Sequence, residues 1–195
     1  MNTNRNEVLI LSKIDVAERQ LKQAIRLFFR EEDPVSIRTL AEAAGQVFAD
    51  IGKKEGIKGL VRDLDRIYPE YQKQWITAVF ASRNFFKHAD KDLKELHEFN
   101  VDTNDFAILD AICIYNSLKK EWAVETVIYW SWFGLKYPHL LKDIPENECI
   151  VKMREEGEFD FRKKLFFAKV IEAAYRGEIT LPNINIQPSR NETLD

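Results

Sequence analysis

The hydrophobic positions of this 195-residue chain recur at helical spacing over most of its length. Between residues 12 and 30 the apolar side chains fall three and four positions apart, which places them on one face of an α-helix. Ser12 and the three residues after it resemble a capping box at the start of that helix. Asp33 and Pro34 indicate a second start, with Asp33 as N-cap and Pro34 in the first helical position. The pattern predicts two consecutive amphipathic helices, the second ending near Gly52.

The same spacing continues to the C-terminal region, where it stops at Gly177. Further helices are predicted to begin at Pro69 and at Asp102 or Thr103, and to cover residues 123–137, 145–154 and 159–176. No β-hairpin pattern and no repeat of fixed period is present in the sequence. From residue 179 onward, proline and asparagine predict an extended or disordered polar tail, residues 179–195. The chain is therefore predicted to be an all-α bundle of about six to eight helices, formed by residues 1–178 as a single domain.

The composition narrows the class of protein. Hydrophobic residues make up 45% of the chain, which is enough to bury a substantial core. Seven glycines and six prolines are too few for a turn-rich β-sandwich. Lysine and arginine number 29 against 32 acidic residues, a net charge of −3. That balance argues against a protein that coats nucleic acid through a broad basic surface, but it allows a small local basic site.

Cysteine usage and apolar segments predict the compartment. Cys113 and Cys149 are too few for a disulfide framework, and neither has a Cys-x-x-Cys partner. The polar N-terminus leads only to a short apolar run, residues 8–11, which is not typical of a secretory signal. Charged residues interrupt the most apolar region, residues 106–135, so it is not predicted to cross a bilayer. We therefore expect a cytoplasmic protein that does not associate with membranes.

The segment 82–90, Ser-Arg-Asn-Phe-Phe-Lys-His-Ala-Asp, is the strongest candidate for chemistry. On a helix, Asn84 and His88 lie one turn apart on one side, and Arg83 and Lys87 form the adjoining stripe. The two phenylalanines between them point to the opposite half and are expected to join the core. A guanidinium and an ammonium can hold the non-bridging oxygens of a phosphodiester, and an imidazole can transfer a proton at neutral pH. The pattern predicts a site for a phosphodiester substrate.

Arg83, Asn84 and His88, with four residues between the arginine and the histidine, resemble the motif of the HEPN superfamily (higher eukaryotes and prokaryotes nucleotide-binding domain). Many members are helical bundles that dimerise so that two motifs meet in one cleft, and many are metal-independent ribonucleases of toxin–antitoxin, phage-defence and CRISPR-linked systems. The resemblance implies that Arg83 and His88 are catalytic and that no cofactor is required. It also implies that Asn84 positions a phosphate or a catalytic side chain, and Lys87 would assist in binding the substrate. Residues 12–122 would form the HEPN-like part and residues 123–178 would be additional helices.

Each of these residues also has a purely structural interpretation. Arg83 shares its helical phase with Ile76 and Val79, so it is expected to be partly buried and paired with a nearby acidic residue. His88 at the end of a helix can act as a C-terminal cap, where a cation meets unsatisfied carbonyl groups. Asn84 and Lys87 would then be ordinary exposed helix residues.

A metal site is a further alternative for the same region. His88, Asp90, Asp92 and His97 could bind a divalent ion if the segment between them folds back. Their spacing matches no standard metal motif. Metal analysis would test this hypothesis of a metal-dependent hydrolase.

An aromatic strip in the penultimate part of the chain has three interpretations. It consists of Tyr129, Trp130, Trp132, Phe133 and Tyr137. Such side chains can pack in the core, stack on nucleic-acid bases, or form a surface for a protein partner or a second copy. The leading functional hypothesis is thus a homodimeric HEPN-like endoribonuclease, a toxin or phage-defence effector that acts on RNA. The alternative is a non-catalytic helical interaction module, such as an antitoxin, adaptor or nucleotide-sensing partner.

Overall fold

The computed structural model describes residues 8–88, 93–141, 147–157 and 159–181. Over these ranges it contains seven α-helices and no β-strand, which confirms the predicted all-α class. The predicted tail lies outside the described residues from position 182 onward. The helices are α1 (Lys13–Phe29), α2 (Pro34–Gly52), α3 (Pro69–Lys87), α4 (Thr103–Lys119), α5 (Val124–Lys136), α6 (Glu148–Glu156) and α7 (Lys164–Tyr175).

The first two helices begin at the residues that the sequence predicts. The backbone N–H of Asp15 donates to the Ser12 hydroxyl (3.2 Å), and the backbone N–H of Ser12 donates to the Asp15 carboxylate (2.9 Å). At the start of α2 the Asp33 carboxylate accepts the backbone N–H of Ser36 (2.7 Å), and Pro34 is the first helical residue. These bonds satisfy N–H groups that have no partner within the helix.

One hydrophobic core joins residues 12–122, the predicted HEPN-like part, to the additional helices predicted in residues 123–178. Buried side chains of α1, α2, α4, α5 and α7 form one continuous cluster. Phe29 of α1 contacts Trp132 of α5 (ring centroids 6.0 Å apart) and stacks on Phe167 of α7 (5.4 Å). Phe48 of α2 contacts Tyr115 of α4 (5.5 Å). Helices α5 and α7 therefore share one core with α1, α2 and α4.

The most apolar stretch of the sequence, residues 106–135, forms most of α4 and α5. Its buried residues pack in the shared core, with Ile108, Ile112 and Tyr129 almost completely enclosed. Of the helices in the described part of the chain, none combines the length and the hydrophobicity that a bilayer-spanning helix requires.

Helix α3 differs from the others because it lies largely outside this core. Ser82 is its only buried residue, and among the described helices α3 packs chiefly against α2. Phe85 and Phe86 were expected to join the core, and this prediction was wrong. They are half-buried and pack on the segment that follows α3, where Phe85 stacks on His97 (5.0 Å) and Phe86 meets Phe99 edge-on (5.2 Å). This segment, rather than the main core, therefore covers the two phenylalanines at the end of α3.

The last part of the chain departs from the predicted boundaries. Helix α7 begins at Lys164 rather than at residue 159, since Asp160 binds the backbone N–H and the guanidinium of Arg162 and fixes a local turn. Asp side chains compete in this way with helix formation. Ile179 and Leu181, predicted to begin the tail, are partly buried against the core. The folded part of the chain therefore extends at least to Leu181.

Cys113 on α4 should be a slow nucleophile in the folded protein. Burial, together with the charge of Asp110, raises the pKa of its thiol to about 11. Because the thiolate is the reactive form, alkylation by iodoacetamide at pH 8 should be about a hundredfold slower than in the unfolded chain. Peptide-level mass spectrometry of Cys113 with and without denaturant measures the ratio. Equal rates in the two states would contradict the burial of this thiol.

Candidate functional site

The polar motif occupies the last turn and a half of α3. Asn84, Lys87 and His88 are exposed, and Arg83 is half-buried at the side that faces α2. His88 is the C-cap residue of α3, and its backbone N–H donates to the carbonyl of Asn84 (3.1 Å). The predicted position of His88 at a helix end is therefore confirmed. Its backbone is extended (φ −129°, ψ 128°), so its exposed imidazole leaves the chain just after the last helical residue, Lys87.

The guanidinium of Arg83 is held by neutral groups. Its Nη1 donates to Oε1 of Gln46 on α2 (2.8 Å), and its Nε and Nη2 both approach Oδ1 of Asn84 (3.3 Å). Its carbon Cζ lies 3.9 Å from the centroid of the Phe80 ring, a distance typical of a cation–π contact. A guanidinium carries five N–H donors. One hydrogen on Nη1 and one on Nη2 thus have no acceptor among the described residues.

Two further arginines bind the carboxylates of this region, and one of them, Arg62, lies next to Arg83 because both approach the amide oxygen of Gln46. Arg62 donates through Nη2 to Glu42 (2.9 Å) and through Nε to Asp110 (2.7 Å). Arg38 lies 3.5 Å from the other oxygen of Glu42. We call the residues Arg38, Arg62, Arg83, Glu42 and Asp110 the arginine cluster. It contains three cations and two buried anions, and only Arg83 makes no carboxylate contact among the described residues.

The arginine cluster thus contains one more cation than anions, and the exposed carboxylate of Asp50, which contacts Gln46, lies just outside it. Burial lowers the pKa of Arg83, the charge of Glu42 opposes that change, and the charge of Arg62 adds to it. An arginine nevertheless stays protonated in proteins. The expectation that Arg83 is partly buried is confirmed. The expected acidic partner is replaced by Gln46 and Asn84, so within the described ranges no direct ion pair neutralises the charge of Arg83.

Sequence reasoning did not find the residues that hold Arg83. Gln46 and Phe80 were not candidates, and Gln46 lies 37 positions from its arginine partner. The only available signal was the helical phase of Phe80, three residues before Arg83 and thus on the same side of α3. Nothing local to Gln46 points to an interaction with α3.

His97 contacts the far side of α3. Its Nε2 lies 2.8 Å from the hydroxyl oxygen of Ser82, and its ring stacks on Phe85. Among the described residues no group of three or more His, Cys, Asp or Glu side chains is arranged to hold a metal ion. Asp90 and Asp92, which the metal hypothesis needs, lie outside the described residues. The observed role of His97 is to fasten the segment after α3 onto the helix.

The aromatic strip is mainly core. Tyr129, Trp132 and Phe133 are buried, which confirms the core-packing interpretation for these three. Trp130 and Tyr137 are half-buried. Trp130 forms an edge-to-face pair with the exposed Trp122 (5.9 Å). A surface for bases or a partner protein is therefore restricted to the outer part of the strip.

Comparison of the chain with protein-family models, with curated proteins and with solved structures finds no match. The HEPN resemblance therefore rests on the motif at residues 83–88.

Proposed function

We propose that the protein is a HEPN-like, metal-independent endoribonuclease that works as a homodimer in a toxin or phage-defence role. One observation carries this proposal. Among the described residues, Arg83 is held by neutral acceptors and an aromatic ring, two of its N–H donors have no acceptor, and it shares the C-terminal end of α3 with the exposed residues Asn84, Lys87 and His88. A guanidinium in that state suits an oxyanion ligand, since its fork of donors matches the oxygens of a phosphate.

The proposed reaction needs only the RNA and these side chains. Arg83 and Lys87 bind the non-bridging oxygens of the scissile phosphate, and the imidazole of His88 accepts the proton of the neighbouring 2′-hydroxyl. The 2′-oxygen attacks phosphorus, the bond to the 5′-oxygen breaks, and that oxygen takes up the proton of the protonated His88 of a second copy as it leaves. The products are a 2′,3′-cyclic phosphate and a 5′-hydroxyl. Asn84 accepts from Arg83 through Oδ1, so its amide NH₂ is left to donate to the phosphate.

A second copy of the chain completes the proposed site. The exposed residues of the motif lie on the outer face of α3 in a single chain, so one copy provides one wall for a substrate. A second motif facing the first doubles the positive charge and supplies a second imidazole to protonate the leaving oxygen.

The direct test is RNA cleavage in the presence of EDTA. We expect the purified protein to cut single-stranded RNA to 2′,3′-cyclic phosphate products, and His88→Ala to reduce the rate at least a hundredfold, the lower end of general acid–base catalysis. His139→Ala is the matched control, because His139 is also exposed and lies outside the motif. It should keep the wild-type rate. Size-exclusion chromatography with light scattering measures the expected dimer mass.

The outcomes of this experiment distinguish the role of His88, the ribonuclease activity and the metal-dependent alternative. Unchanged cleavage by His88→Ala would remove His88 from the mechanism. A wild-type protein that is pure, folded and unable to cut or bind RNA would overturn the ribonuclease proposal. Cleavage that EDTA abolishes would favour the metal-dependent alternative.

The alternative proposal, a non-catalytic interaction module, also has an observation in its favour. His88 is a helix cap with an exposed ring, and α3 and the segment after it expose large apolar side chains, including Trp75 and Leu96. Such a surface suits a protein partner that covers it. Absence of RNA cleavage and binding, together with a specific complex that Trp75→Ala and Leu96→Ser weaken, would select this function.

A further inference from the structure

We infer that Gln46 on α2 is a positioning residue of the proposed site. Its amide orients the guanidinium of Arg83, and its neutrality leaves that guanidinium free to bind the RNA phosphate. This inference rests on the proposed function and extends the site from one helix to two. Gln46 does not have to touch the substrate to act in this way.

The orientation of the Gln46 amide is set by its other end. Its Nε2 donates to Oδ1 of Asp50, one turn later on α2 (2.8 Å). The carbonyl oxygen must then point away from Asp50, and it faces Nη1 of Arg83 (2.8 Å) and Nη1 of Arg62 (3.5 Å). A reversed amide would turn its NH₂ toward two cations and its oxygen toward a carboxylate. The electrostatics of both ends therefore favour the observed orientation.

The charge at position 46 decides how the arginine cluster is balanced. Glu42 and Asp110 already pair with Arg62, and Glu42 also faces Arg38. A carboxylate in place of the Gln46 amide would add a third anion to the cluster, in contact with Arg83. Within the arginine cluster three anions would then face three cations, with Asp50 as a further negative charge beside position 46, and the charge of Arg83 would be compensated by direct contact. Gln46 holds Arg83 as an acceptor without that compensation.

Two substitutions of Gln46 distinguish the orientation of the Arg83 guanidinium from the charge at position 46. Gln46→Met has a similar length and no charge but cannot accept a hydrogen bond, whereas Gln46→Glu accepts and adds a negative charge. We would measure binding to a 2′-O-methyl RNA oligonucleotide, which has no 2′-hydroxyl to attack phosphorus, over a range of salt concentrations. Cleavage of the matching RNA gives kcat and KM. Gln74→Glu is the matched charge control, because Gln74 is exposed on α3.

Gln46→Glu is expected to weaken RNA binding about tenfold, the scale of one hydrogen bond to a charged group. Its plot of log affinity against log salt should be shallower than that of the wild type by about 0.7, the loss of one phosphate contact to a single strand. Gln46→Met should keep the wild-type slope and lower kcat, because the charge remains while the guanidinium is no longer oriented. Gln74→Glu should match the wild type in both measurements. Thermal unfolding verifies that each variant is folded.

The measurements distinguish failure of the role of Gln46 from failure of the proposed ribonuclease function. A wild-type protein that binds and cuts RNA while both Gln46 variants behave like it would overturn the role of Gln46 alone. Equal effects of Gln46→Glu and Gln74→Glu would reduce the result to net charge and also overturn it. A folded wild type without RNA binding or cleavage would overturn the proposed function and this inference together.

Discussion

Replacing Asp110 by alanine should lower the free energy of unfolding by about 3–5 kcal/mol, the usual cost of removing one partner from a buried ion pair. Asp110 on α4 is 2% exposed. One of its oxygens accepts from Nε of Arg62 and the other from the backbone N–H of Val61, both at 2.7 Å. The substitution removes these acceptors from two half-buried residues, Arg62 and Val61, and leaves Glu42 as the remaining carboxylate of Arg62. Urea unfolding followed by circular dichroism measures the loss.

Two controls test whether buried charge is the cause. Asp110→Asn keeps an acceptor for one of the two donors and is expected to cost less than alanine. Glu178→Ala breaks an exposed ion pair with Arg176, in which both side chains are more than half accessible, and it should leave the unfolding midpoint unchanged. A loss for Asp110→Ala no larger than the change for Glu178→Ala would contradict the role of the arginine cluster in stability.

Helix starts could be predicted here wherever the chemistry is local. Ser12 and Asp33 cap their helices through residues three positions away, so the interaction is visible in the sequence. The start of α7 was predicted too early, because here a local side-chain bond stabilises a turn instead of the beginning of a helix. Asp160 binds the backbone of Arg162, two residues later, and this local turn replaces the first turn of the predicted helix. A carboxylate close to the start of an apolar stripe can cap a helix or stabilise a local turn. The helical spacing of the apolar residues does not distinguish these two structures.

The candidate site was predictable only in part. Helical phase predicted that Arg83 is half-buried and that Asn84 and His88 lie at the same end of one helix. It could not predict Gln46 as the partner, because that contact depends on how α2 and α3 pack. The same limit applies to Phe85, whose ring meets a segment that follows the helix instead of the core. An apolar helix face predicts that other residues pack against it. Whether these residues belong to the main core or to a neighbouring segment depends on the tertiary fold.

Trp132→Ala should lower the free energy of unfolding by about 3–5 kcal/mol and keep a single unfolding transition. Trp132 on α5 is fully buried, its indole N–H donates to the carbonyl of Phe161 (2.9 Å), and its ring packs edge-on against Phe28 of α1 (centroids 4.7 Å apart). The cavity left by alanine lies between helices on either side of residue 122. Because those helices share this cavity, the whole chain should lose stability together.

The number of transitions is the informative part of this measurement. If residues 123–178 were an appendage on an independent bundle, Trp132→Ala would melt α5 and α7 first and leave α1 and α2 folded at higher urea. Circular dichroism and limited proteolysis at matched urea concentrations distinguish one transition from two. Trp122→Ala is the control, because this indole is exposed and its removal should cost much less. A two-step curve for Trp132→Ala would contradict the shared core and would favour two units, with the motif of α3 in the first.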